Sequence, residues 1–95
     1  MFKFSLKLDD SYVKGIVVDQ QGSAVANALV KLLDENGKEI EQLRTGEDGT
    51  YLFDIDTNKT YRLVATTNGF AGKKDIVTDE NWQSEQPIEL QLEPT

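Results

Sequence analysis

Residues 45–70 carry two apolar-alternating segments punctuated by Gly46-Glu47-Asp48-Gly49, by Asp56-Thr57-Asn58-Lys59 and by Asn68-Gly69. With a period of two, Tyr51, Phe53 and Ile55 fall on one face, and Tyr61, Leu63 and Ala65 fall on one face of the next segment. A helix repeats its apolar positions every 3.6 residues, so this register belongs to half-buried strands. The turn residues between the segments predict antiparallel pairing of the two through tight turns.

The same period runs through the rest of the chain. Phe2, Phe4, Leu6 and Leu8 share a face opposite Lys3, Ser5 and Lys7, which predicts a strand ended by Asp9-Asp10-Ser11. A β-branched run at 12–18 predicts the next, with Gly15 marking a bulge or a close backbone approach. Ala28, Val30 and Leu32 alternate with Leu29, Lys31 and Leu33, and Asn36-Gly37 signals a hairpin to a strand at 39–45. In that partner, Ile40 and Leu43 cannot share one alternating face, which predicts a bulge or a loosely packed edge strand. A weak strand at 73–77 and a polar loop at 78–86 follow, and Pro87 opens a last strand with Ile88, Leu90 and Leu92 facing inward. Residues 24–36 are the best place for a helix, but Val25, Val30 and the flanking turns oppose it. Short strands every 8–12 residues predict an all-β, antiparallel Greek-key β-sandwich of about seven strands, one domain over 1–95, with a mainly parallel sheet excluded by the short turns.

The residue inventory narrows function by what it lacks. The chain has no cysteine and no histidine. Disulfides, Cys-based metal sites, and the commonest general base and metal ligand are therefore unavailable. Ser5, Ser11, Ser23 and Ser84 have no histidine to activate them, so no catalytic residue and no enzyme are expected. A formal charge of -7 with scattered Lys and Arg argues against nucleic acid. Without a run of about 18 apolar residues, membrane insertion is not expected either.

Two places invite a ligand reading. Asp54-Ile55-Asp56-Thr57-Asn58 opens with calcium-loop spacing, but Lys59 stands where glycine is wanted and Ala65 where a bidentate Glu is needed. The solvent face of a strand entering a turn explains these residues better, so no metal and no cofactor are expected. Asp34-Glu35 and Glu47-Asp48 read likewise as solvated turn residues. Trp82 stands in a polar loop after Asp79, Glu80 and Asn81, and is the candidate interaction residue. Either it stacks on a sugar or anchors a partner, or it folds back over an open end of the core.

Several segments together carry a family resemblance. They are Val13-Lys14-Gly15-Ile16-Val17-Val18-Asp19, Gly22, Ala28-Leu29-Val30-Lys31-Leu32, Thr45 with Asp48-Gly49-Thr50-Tyr51-Leu52-Phe53, Tyr61-Arg62-Leu63-Val64-Ala65 and Asn68-Gly69-Phe70. Over about residues 12–92 the chain resembles the carboxypeptidase regulatory-like domain, which implies a transthyretin-like sandwich. It departs from many members in having Ala24-Val25-Ala26-Asn27 where proline follows the first turn's glycine, which questions the rigidity of that loop. Such domains are non-catalytic appendages of larger proteins. The hairpin at 31–45 and the spacing at 59–63 are most similar to modules of Bacteroidetes periplasmic proteins, between a propeller and an OmpA-type peptidoglycan-binding domain, including a type IX secretion system component. The resemblance thus implies a monomeric structural or protein-interaction module excised from a periplasmic or cell-envelope protein, whose partners are neighbouring domains and envelope proteins. A carbohydrate- or peptidoglycan-binding module is the alternative.

Overall fold

The computed structural model describes residues 11–95, so the strand expected at 2–8 lies outside the described residues. Eight strands follow in order: β1 (Tyr12–Val18), β2 (Leu29–Asp34), β3 (Glu39–Arg44), β4 (Thr50–Asp54), β5 (Lys59–Thr67), β6 (Phe70–Thr78), β7 (Ile88–Gln91) and β8 (Glu93–Pro94). No helix occurs among the described residues. A three-stranded sheet, β4-β1-β7, faces a five-stranded one, β3-β2-β5-β6-β8, which is the all-β sandwich the alternation predicts. The eighth strand is a two-residue addition that pairs Glu93 and Pro94 with Ala71 and Phe70 of β6.

The alternating faces of β4, β5 and the last strand are the buried ones, and in β1 and β2, where the sequence does not choose a face, the structure does. Val13 and Val17 of β1, Val30 and Leu32 of β2, Tyr51 and Phe53 of β4 with Ile55 beyond it, Tyr61, Leu63 and Ala65 of β5, and Leu90 with Leu92 are all buried in one cluster. Removing these side chains from water at roughly 25 cal/mol per Å² of apolar surface is the main force holding the sheets together.

Pairing departs from expectation in two respects. The two alternating segments of residues 45–70 are not partners. β4 pairs antiparallel with β1 in one sheet, whereas β5 pairs with β2 and β6 in the other. The intervening turn carries the chain across the sandwich, not back along its own sheet. Asn58 takes a left-handed conformation there (φ 63°). The buried Thr78 hydroxyl shares its proton between the carbonyls of Asp56 and Lys59, at 2.8 and 3.0 Å, and accepts the Lys59 N–H. Second, β7 runs parallel to β1, with Gly15 opposite Ile88 and Val18 opposite Gln91. The other strand pairings are antiparallel.

Boundaries move less. β6 begins at Phe70, not Lys73, because Asn68-Gly69 is a two-residue turn with Gly69 at φ 82°, which sets Thr67 opposite Phe70. β3 is both an edge strand and irregular, with the register shift falling between Leu32 and Leu33 of its partner. Ile40 is half exposed, and Leu43 still reaches the core. Gly15 marks a close approach. The Tyr51 ring lies across it, and the Tyr51 hydroxyl donates to the Ile88 carbonyl at 2.7 Å. The loop lacking proline is held by other means. Val25 N–H donates to the Val17 carbonyl, and Thr45 Oγ1 donates to the Val25 carbonyl at 2.8 Å while accepting the Ala28 N–H at 2.9 Å.

Candidate functional site

The end of the sandwich where β1 starts gathers three turns that are far apart in sequence. Asp34, Glu35 and Asn36 come from the β2–β3 hairpin, Asp54, Asp56 and Asn58 from the crossing between β4 and β5, and Asp79 from the residue after β6. They line an open groove of about 670 Å³, floored by Leu32, Ile55 and Tyr61. Ile40 and Val77 add apolar surface and are 50% and 61% exposed.

Its walls are built from local hydrogen bonding. Asp34 Oδ1 accepts the N–H groups of Asn36 and Lys38, each at 2.9 Å, closing the hairpin in an Asx turn. The Tyr61 hydroxyl accepts the Asp56 N–H at 3.0 Å, and the Thr78 hydroxyl binds the same turn from the far side. Asp79 Oδ1 accepts the Asn81 N–H. These contacts hold the backbone beneath the carboxylates.

Electrostatically the groove is one-sided. Asp34, Glu35, Asp54, Asp56 and Asp79 line it against a single ammonium, Lys59. The ion pairs among the described residues, Lys31–Glu39 and Arg62–Asp75, involve none of the five carboxylates. Like charges around a concave surface reinforce one another's field, so the groove attracts cations and repels anions. Among the described residues no three carboxylates converge closely enough to hold a metal ion. Asp54 and Asp56 flank the buried Ile55 where strand β4 meets its turn, with Lys59 alongside in the lining.

Trp82 lies at the same end, on the β7 side of β1. Its indole is half buried against the core and donates from Nε1 to the Tyr12 carbonyl at 2.9 Å. Tyr12 returns the contact by donating its N–H to Ser84 Oγ at 3.0 Å. The loop of 79–87 is thereby fastened to the first residue of β1, and turns at Asp79–Trp82 and Gln83–Gln86 shape it. The indole is thus committed on its N–H edge and on the side packed against the core, and is exposed only in part.

From sequence Asp34 and Glu35 read as solvated turn residues, Asp54 and Asp56 as the solvent face of a strand entering a turn, and Asp79 as part of the polar loop before Trp82; nothing local joins them. The signal that would join them is strand parity: β2 and β4 run toward this end, β6 ends there, and all three finish in acidic turns.

Comparison with known proteins fits this architecture. The sequence profile of the carboxypeptidase regulatory-like domain matches residues 12–92. No curated protein sequence matches the chain. Among solved structures, S.CueP superimposes with a TM-score of 0.71 at 19% identity, over 93% of this chain and 67% of that one. The 3-chlorocatechol 1,2-dioxygenase of Rhodococcus opacus 1CP superimposes with a TM-score of 0.57 at 13% identity, over 95% of this chain and 63% of the enzyme. At such identities the likeness is one of fold.

Proposed function

The chain belongs to the carboxypeptidase regulatory-like domain family, and from this we propose that it is a non-catalytic structural and protein-interaction module of a larger periplasmic or cell-envelope protein. The observation that carries the reading is the acidic groove. Five carboxylates outside any described ion pair surround a concave, hydrogen-bonded sandwich end with two exposed aliphatic side chains. Such a surface suits a partner that brings lysine or arginine and a little apolar area. Trp82 supports the same end from the β7 side and offers the exposed part of its ring to that partner. The absence of histidine and cysteine leaves acid–base and nucleophilic chemistry without its usual groups. The envelope setting, with OmpA-type and type IX secretion neighbours, rests on the resemblance of residues 31–45 and 59–63.

The test uses envelope extract passed over the full chain, as wild type, Trp82→Ala, and Asp54→Asn with Asp56→Asn. A partner retained by wild type and released by the carboxamide variant and by about 0.5 M salt, where screening falls within a few ångströms, supports the reading. Muropeptides titrated in parallel, followed by Trp82 fluorescence, are expected to leave the signal flat. A saturable change would move the assignment to the peptidoglycan-binding alternative.

A further inference from the structure

β1 lies between β4 and β7 in the smaller sheet, antiparallel to the first and parallel to the second. It enters the sandwich at the groove end, with Tyr12 opposite Asp54. β7 runs the same way beside it, from Ile88 opposite Gly15 to Gln91 opposite Val18. Past β7 the chain reaches β8, where Glu93 and Pro94 pair with Ala71 and Phe70 beside the Asn68-Gly69 turn, at the end remote from the groove. Tension applied through the start of β1 and the end of β8 therefore runs along two strands that lie side by side. It loads the bonds of β1 together, in shear. Strands drawn apart sideways from one end release the same bonds one after another, and each is weak alone.

β1 is fastened at both ends. At its entry the Tyr12 carbonyl accepts the Trp82 Nε1–H at 2.9 Å, and the Tyr12 N–H donates to Ser84 Oγ at 3.0 Å, so the loop leading into β7 grips the first residue of β1. At its exit Leu92 N–H donates to the Val18 carbonyl and Val17 N–H to the Gly49 carbonyl, each at 2.9 Å. Between these ends the strand is keyed. Val13 and Val17 are fully buried on its inner face, and Gly15 lies between them with the Tyr51 ring across it. A Cβ there would lie 1.8 Å from the Ile88 carbonyl oxygen and 2.5 Å from the Tyr51 hydroxyl, which is itself bonded to that carbonyl. Re-pairing β1 one residue along would turn both valines away from the core. Re-pairing it two residues along, toward the groove, restores the faces but brings Val17 into the slot that admits only glycine. The strand thus has no adjacent register into which it can slip.

We propose that β1 and β7 form a load-bearing clamp, with Gly15 as its key, that resists separation of the two ends of the domain when tension runs along the chain. The inference rests on the reading of this chain as one module of a longer protein, since neighbouring domains are what would deliver load to both ends. It adds a mechanical role to that reading and does not use the acidic groove.

Forced unfolding of single molecules of the full chain tests it. Because the chain has no cysteine, introduced pairs define the points of attachment. Asp10→Cys with Thr95→Cys pulls along β1 and β8, whereas Ser23→Cys with Thr95→Cys pulls at the exit end alone and peels β1 from that end. Urea unfolding of both variants supplies the zero-force reference to which the rates are normalised. At equal tension the first pair is expected to unfold at least about 10-fold more slowly than the second, since forced unfolding is set by the barrier along the pulled direction. Tyr51→Phe keeps the ring but frees it from Ile88, and should speed unfolding in the first geometry by more than in the second. Equal rates in the two geometries, or a faster first one, would overturn the clamp. Equal acceleration by Tyr51→Phe would overturn the key. Capture of a partner from envelope extract is measured separately, so a chain that binds its partner yet unfolds alike in both directions loses only the mechanical role.

Discussion

Gly15→Ala places a methyl group where the smaller sheet has no room. A Cβ at this position would lie 1.8 Å from the Ile88 carbonyl oxygen, 2.5 Å from the Tyr51 hydroxyl and 2.7 Å from its ring carbon Cζ. The carbonyl belongs to β7 and cannot swing aside as a side chain would, so the strand or the ring must move. Overpacking of a close-packed interior costs about 1–3 kcal/mol. Displacing the ring also breaks the Tyr51–Ile88 hydrogen bond and strands a buried hydroxyl, for about 1–3 kcal/mol more. The usual gain from replacing glycine, about 0.4–1 kcal/mol through the unfolded chain, offsets only part of this. The net expectation is a loss of about 2–4 kcal/mol, on the order of 10–25 °C in the midpoint for a domain of this size. Thermal and urea unfolding, followed by far-ultraviolet circular dichroism and Trp82 fluorescence, measure it. Combining it with Tyr51→Phe removes the hydroxyl that the methyl meets. The second substitution should then lower the cost of the first by about 1 kcal/mol without abolishing it, well outside the roughly 0.5 kcal/mol scatter of independent sites. A neutral or stabilising Gly15→Ala, or strict additivity with Tyr51→Phe, refutes the packing argument.

Two further outcomes follow from buried polar groups. Thr45→Val removes the hydroxyl that ties Val25 to Ala28 and leaves a buried N–H without its acceptor, so unfolding in urea should show a loss of about 2 kcal/mol, with Thr45→Ser retaining most of the stability. Burial pushes the Tyr51 phenol far above its ordinary value of 10.0. The folded state therefore holds a proton that the unfolded state releases above that value, so stability is intact below about pH 10 and falls as pH rises further, by up to about 1.4 kcal/mol per pH unit. Urea midpoints measured from pH 8 to 11 should show this slope in the wild type and a shallower one in Tyr51→Phe.

How much of this was legible depends on the range of the interaction concerned. Phe53, Leu63 and Leu90 can be assigned to a buried face because alternation is a property of adjacent residues and needs no partner. The Asn36-Gly37 hairpin was equally local. The two segments of residues 45–70 were misread as partners because the same turn chemistry serves a hairpin and a crossing between sheets. The difference lies in Asn58, turned left-handed, and in the hydroxyl of Thr78, twenty residues away. Nor could the parallel placement of β7 on β1 be read, since Ile88 and Gly15 meet only after the sandwich closes.

The groove follows the same division. The residues themselves determine that the turns are acidic, that histidine and cysteine chemistry is missing, and that each strand has one face to bury. Only the tertiary structure decides that Asp34, Asp54, Asp56 and Asp79 share one end and that Trp82 is fastened to Tyr12. The physical reason is that side-chain polarity acts within a few residues, whereas sheet membership and strand direction are settled by the burial of every apolar face at once.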